Sequence, residues 1–267
     1  MDNEIQLAKD SNIILDPKIK RLVEYSEDSK QINILDTRFY KRNDKFYPSV
    51  TSVLNYFPKN QYFYGWLKDV GHNAEIIANK AASEGTAVHK AAEKLLKGET
   101  INWIDDRGNV IYNLLTWKMI LRFADFWNMY KPELIAIEYH LFSDEHEYAG
   151  TGDIVCRFED KVWLLDIKTS NYLHTSYDLQ LAAYANAWNE THNEPITETG
   201  IIWLKAHTRG VDGQGKKMQG KGWQIKHVSD IERNFEMFKK IYEIYKLENP
   251  NMKPHSEILP TTIKLTQ

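Results

Sequence analysis

Between Gly150 and Tyr184 the chain reads GTGDIVCRFEDKVWLLDIKTSNYLHTSYDLQLAAY. Two runs rich in Ile, Val, Leu, Phe and Trp, from Thr151 to Phe158 and from Lys161 to Thr169, flank the polar pair Glu159-Asp160. Apolar runs on either side of a short polar turn predict a β-hairpin. Side chains alternate across a strand, so Asp153 shares a face with Val155, and Asp166 shares one with Leu164 and Lys168. With a two-residue turn, Phe158 lies opposite Lys161, and counting back sets Asp153 opposite Asp166. A four-residue loop shifts the pairing by two and leaves both carboxylates on the same face.

Like charges facing each other across a sheet are destabilising by a few tenths to about 1 kcal/mol. Burying them costs more unless something neutralises them. Lys168 supplies one positive charge, and a divalent cation would supply the rest; hard oxygen ligands suit Mg²⁺ or Mn²⁺. The plainer reading of D-x-K is an exposed hairpin with an ordinary Asp–Lys pair. The apolar strand around Asp166, the second aspartate in register and the following helix favour a site.

Gly150-Thr-Gly-Asp153, Asp166-Ile-Lys168 and Gln180-Leu-Ala-Ala-Tyr184, preceded by Gly85-Thr-Ala-Val-His89, together resemble the RecB-like branch of the PD-(D/E)XK nucleases. The resemblance runs from about Tyr47 to Tyr245. It implies an α/β (α+β) fold: a restriction-endonuclease-like αβββαβ core, its mixed sheet flanked by helices, with an N-terminal helical and hairpin extension. The implied layout is an extension over 1–50, a nuclease domain over 51–250 and a tail over 251–267.

Composition bounds this reading. A chain of 267 residues can bury a substantial core, and 42% hydrophobic with 27% charged residues is ordinary for a globular protein. No window approaches a membrane span. The start, MDNEIQLAKDSN, lacks the regions of a signal peptide, so a cytoplasmic location is expected, the host's if the chain is phage-encoded. The single cysteine, Cys156, excludes an internal disulfide and a four-cysteine iron–sulfur cluster of the kind some relatives carry. Net charge is −3, so a nucleic-acid surface would have to be local. The 205–226 segment fits, with Lys205, Arg209, Lys216, Lys217, Lys221 and Lys226 against one acid, Asp212. It reads as a flexible loop that is either merely solvated or grips phosphates.

Elsewhere, IKRLVEY suggests a short helix, TRFYKRNDKFYPSV a hairpin turning at Asn43-Asp44, and SVTSVLNYF a short helix starting near Ser49 or Thr51. NQYFYGWLKDVG is unusually aromatic and reads as a helix packed on the core, or else as a stacking surface for unpaired bases. Asn73–Lys97 is helical in composition, with a Val88, Ala92, Leu95 stripe and Gly98 past its end. Tyr112–Tyr130 reads as a core helix through Leu114, Trp117, Leu121, Ala124 and Trp127. Leu134–Phe142 reads as a strand; paired with the Asp153 strand it puts Glu138 beside Asp153. Ser229-Asp-Ile-Glu232 reads as a capping box for a last helix.

The resemblance further implies metal-dependent hydrolysis of DNA phosphodiesters, most often by exonucleases at single-stranded ends, in recombination, repair or phage DNA metabolism. His89, Asp153 and Asp166 would hold Mg²⁺ or Mn²⁺, with Glu93 orienting His89. Lys168 would position or deprotonate the attacking water, with Glu138 as a further acidic residue. Gln180 and Tyr184, one helical turn apart, would contact DNA. The alternatives are an endonuclease on the same fold and a non-catalytic DNA-binding or assembly subunit.

Overall fold

The computed structural model describes residues 23–26, 31–34, 37–43, 45–211 and 214–253. Strands β1 (Val23–Ser26), β2 (Gln31–Ile34), β3 (Thr37–Arg42) and β4 (Lys45–Pro48) form an antiparallel meander in sequence order. Val23–Tyr25 is therefore strand rather than helix; the remainder of the proposed IKRLVEY helix lies outside the described residues. The hairpin expected at Asn43-Asp44 is present, with Arg42 paired to Lys45. Helix α1 (Val50–Leu54) follows, capped by Ser49, whose side chain accepts from the Ser52 N–H.

Next come α2 (Gln61–Val70), a 3₁₀ turn at Gly71–Asn73, α3 (Ala74–Leu96) and α4 (Leu114–Tyr130). Strands β5 (Glu133–Ser143), β6 (Tyr148–Phe158) and β7 (Lys161–Lys168) lead to α5 (Thr175–Asn189) and β8 (Glu198–Trp203). A small ribbon of β9 (Arg209–Val211) and β10 (Lys217–Gln219) precedes β11 (Gln224–Val228) and α6 (Ile231–Glu248). The segment expected to be a loop thus contains paired strands.

The main sheet runs β11-β8-β7-β6-β5, antiparallel throughout except for the parallel β7–β8 pair. A right-handed crossover helix normally makes such a parallel connection, and α5 occupies that place. Helix, three antiparallel strands, helix and parallel strand give the αβββαβ order expected from the sequence.

Alternation along the strands divides the interior in two. Val155, Val162 and Leu164 pack with α5 and α6, while Ile154, Cys156, Leu165 and Ile167 pack with α3 and α4. Each wholly buried aliphatic side chain contributes roughly 1.5–3 kcal/mol, so this two-faced burial fixes the strand register. The buried face of α4 is Thr116, Met119, Ile120, Phe123 and Phe126. Leu114 and Leu121, expected in the core, are exposed. The cap of α6 is Asp230, whose side chain accepts from the Arg233 N–H, rather than Ser229. No helix among the described residues is long and apolar enough to cross a membrane.

Candidate active site

The β6–β7 hairpin has the register read from its sequence: Phe158 pairs with Lys161, and the pairing runs back to Ile154 with Leu165. Glu159 and Asp160 both have positive φ, 50° and 58°, as a two-residue type I′ turn requires. The next positions in that register are Asp153 and Asp166. Here the backbone pairing gives way to a side chain, because Ile167 N–H donates to Asp153 Oδ2 at 2.7 Å. The two strands part at this fork.

The fork is reached from both faces of the sheet. From α3, His89 Nδ1 lies 3.3 Å from Asp153 Oδ2 and 4.0 Å from Glu138 Oε1. Close approach of this helix is allowed by Gly85, where an added Cβ would stand 3.1 Å from Thr169 Oγ1. From α5, Gln180 Nε2 donates to Asp166 Oδ1 and to the Tyr184 hydroxyl, both at 3.3 Å, while its Oε1 accepts from Lys168 Nζ at 3.3 Å. Lys168 Nζ also sits 2.8 Å from Asp166 Oδ2 and 4.3 Å from the centre of the Tyr177 ring. A cation over an aromatic face is held by the ring quadrupole. Tyr177 gave no signal in the sequence beyond its place in the helix.

Glu138 enters through a local irregularity. Pairing holds on either side of it, Ile137 with Ile154 and Tyr139 with Gly152, and Glu138 itself has φ +45°. A non-glycine residue in the left-handed region costs on the order of 1–3 kcal/mol and is commonly found at functional sites. This backbone turn sets Glu138 across from Asp153, as the strand pairing predicts.

Electrostatics follow from burial and crowding. Burial would lower the His89 imidazole, but the charge of Asp153, its hydrogen bond and the charge of Asp166 outweigh this and push it up to about 9. Burial, then repulsion from Asp153, pushes Glu138 up to about 7. Burial also raises Asp166 against the pull of Lys168. Asp153 moves the opposite way: burial opposes its ionisation, but His89 and Lys168 together hold it ionised. Burial would lower the Lys168 ammonium, yet Asp166 and Asp153 hold it above its ordinary value.

The residues fit a small divalent cation. His89, Glu138 and Asp153 offer ligand atoms all within 4.8 Å of one another, against the roughly 3–4 Å separations of an octahedral shell with bonds near 2.1 Å. Asp166 Oδ2 is buried without an aligned hydrogen-bond donor; Lys168 is within ion-pair distance of it but off the hydrogen-bond direction. Glu138 lies in this ligand-distance group, and Asp166, the expected ligand, contacts Lys168 and Gln180. A second group, Glu145, His146 and Glu190, closes a turn: Glu190 accepts from Ser143 Oγ at 2.7 Å and Asp144 N–H at 3.1 Å.

Three expected roles do not match the geometry. Tyr184 is buried, its ring against Gly150 so closely that a Cβ there would collide with it; it packs rather than facing DNA. Glu93 accepts from Lys97 at 2.6 Å instead of orienting His89. The α2 helix has no buried residue and does not pack into the core. Among the basic residues, Lys205 adjoins the site, since Leu204 N–H donates to the Lys168 carbonyl at 2.9 Å. Arg209 and Lys216 are exposed, and Lys217 lies in β10. Lys221 Nζ rests 4.8 Å from the Trp223 ring centre, and Lys226 is ion-paired with Asp178 at 2.7 Å.

No protein-family model and no curated protein matches the sequence. Among solved structures, a crystal structure from Eubacterium rectale, described as a "putative exonuclease", aligns over 82% of this chain and 91% of its own, at 14% identity and a TM-score of 0.43. What the site can do is read from its own residues.

Proposed function

We propose that the protein is a divalent-metal-dependent nuclease that hydrolyses DNA phosphodiesters. The observation that carries this reading is the convergence of Asp153, Asp166, His89, Glu138 and Lys168 where strands β6 and β7 part. A binding scaffold has no use for opposed carboxylates whose repulsion it must offset.

His89, Glu138 and Asp153 would hold Mg²⁺ or Mn²⁺, with Asp166 at the margin of the site. When bound, the ion supplies Lewis-acid polarisation of the phosphate and a lowered pKa for water. Asp153 keeps its charge and, through Ile167 N–H, fixes the end of β7. Lys168, held by Asp166, Gln180 and the Tyr177 ring, presents an ammonium that offsets charge developing on the phosphorane oxygens. Gln180 holds Asp166 and Lys168 in one geometry. Lys205 and Arg209, beyond the C-terminal end of β8, suit phosphate contacts along the strand.

Within this class we favour an exonuclease acting on DNA ends, in recombination, repair or phage DNA metabolism within the cytoplasm. The test is digestion of end-labelled linear single strands, linear duplex and closed circles in Mg²⁺ or Mn²⁺. Loss of linear DNA with the circle intact is expected. Cutting of the circle would make it an endonuclease, and binding without cleavage of any substrate would leave a non-catalytic DNA-binding subunit.

A further inference from the structure

Residues 58–87, which include α2, the 3₁₀ turn and the first half of α3, contain no buried residue. In a protein with two well-packed layers this is an arm with no core of its own. Its outward side chains are not those of a merely solvated helix. Tyr62 is 83% exposed and Tyr64 53%, with Phe63 and Trp66 half-buried beside them. Phe63 contacts both Tyr64 and Trp66 through their rings, and Tyr62 lies one helical turn before Trp66, on the same side of α2.

Both ends of the arm stand at the candidate active site. At one end, Tyr56 is anchored to the body by its ring contact with Tyr245 and its hydroxyl bond from Asn249. Lys59 then lies near enough to His174 that, after burial, its charge also lowers that imidazole. The His174 ring meets Tyr177, whose face carries Lys168. At the other end, Gly85 abuts Thr169, one residue past Lys168, and His89 follows one turn later.

We propose that the arm is a binding platform for unpaired nucleobases, with Tyr62 and Trp66, one helical turn apart on the same side of α2, stacking on bases of a single strand whose backbone enters the site. Base faces are the one feature all four nucleotides share, so an aromatic row serves a substrate taken without regard to sequence. In duplex DNA those faces are already stacked on one another, and the platform therefore selects single strands. The arm carries Lys59, Lys68 and Lys80 against Asp69, Glu75 and Glu84, so its charge is balanced and the grip comes from the rings. This inference rests on the nuclease reading for its substrate class, but it is tested by binding alone.

The experiment measures binding of fluorescently labelled oligothymidylate, and of a blunt duplex of equal length, to the full chain carrying Lys168→Ala, in chelator. Tyr62→Ala and Trp66→Ala are then added singly. Each lost ring is expected to weaken single-strand binding by roughly ten-fold, with duplex binding unchanged, while Tyr62→Phe retains the affinity of its parent. Thermal melting of each variant checks folding, which these outward positions leave intact. Single-strand affinity unchanged in both alanine variants would overturn the proposal. So would an equal loss for duplex, or a wild-type dimer that the substitutions dissociate, which would assign the arm to a second copy of the chain. Hydrolysis of bis(p-nitrophenyl) phosphate by the wild type, compared with Lys168→Ala, reports separately on the nuclease reading; its absence would sink that reading without touching the stacking result.

Discussion

Asp153 accepts the backbone N–H of Ile167 at 2.7 Å, where the β6–β7 ladder would otherwise continue. One carboxylate thus both ends a strand pairing and enters the candidate site. Asp153→Ala leaves a buried N–H without an acceptor and is expected to destabilise the fold by about 1–3 kcal/mol. Asp153→Asn keeps an acceptor and should cost much less, while abolishing cleavage as fully as the alanine. Urea denaturation beside a nuclease assay separates the two; equal stability losses would show that the hydrogen bond is not what matters.

Gln180 bridges Lys168 and Asp166 from the opposite face. A residue that positions others lowers kcat and leaves KM nearly unchanged, whereas one that grips DNA raises KM. Gln180→Ala is expected to reduce kcat about 10- to 100-fold, the range typical of groups that orient a site. Steady-state kinetics on a labelled oligonucleotide provide the check, and a rise in KM alone would return Gln180 to a DNA-contacting role.

Gly150 faces the buried Tyr184 ring. Gly150→Ala forces that ring to move and is expected to destabilise the fold by about 1–3 kcal/mol. Adding Tyr184→Leu should recover part of the loss, because the smaller side chain vacates the space. A double-mutant cycle by chemical denaturation measures the coupling; strictly additive losses would contradict the contact.

The pH dependence without metal has a definite sign. His89 is raised to about 9 from 6.5 and Glu138 to about 7 from 4.5. A group whose folded pKa is raised contributes stability that is full below its unfolded pKa and is lost as pH rises through the folded value. The chelator-treated protein should therefore lose thermal stability between about pH 5 and 9. A bound divalent ion requires unprotonated His89, so stabilisation by Mn²⁺ should grow over the same interval. Melting curves with chelator and with Mn²⁺ test both statements. A chelator-form Tm that climbs with pH would refute the first; a Mn²⁺ effect insensitive to pH would refute the second.

Salt dependence separates the basic residues. Arg209 is exposed, and its replacement by Ala should reduce the slope of log K against log salt by about one. Lys226 is occupied by Asp178, and Lys226→Ala should leave that slope unchanged. Titrations of the Lys168→Ala protein with DNA at several salt concentrations read both.

The hairpin was legible because strand alternation and a Glu-Asp turn fix one register, and both aspartates followed from counting. Glu138 was legible as a neighbour of Asp153, but its positive φ was not, since only the partner strand shows that the ladder skips there. The contacts of Asp166 were hidden for a similar reason: its pairing with Lys168 and Gln180 is a matter of side-chain packing that spacing does not encode. Leu114 and Leu121 fit a helical stripe on α4, yet the neighbouring stripe through Met119, Ile120, Phe123 and Phe126 is the buried one, and which of two adjacent apolar stripes meets the sheet is not set by spacing alone. The aromatics of α2 resemble core residues in composition, and only the absence of any facing layer reveals them as surface.

The central claim is most directly tested by release of nucleotides from an end-labelled single-stranded oligonucleotide in Mg²⁺ or Mn²⁺, comparing the wild type with Asp166→Ala and Lys168→Ala. The account predicts release by the wild type, none in chelator, and none by either variant while both still bind the oligonucleotide. Undiminished release by Lys168→Ala, or release that persists in chelator, would contradict it.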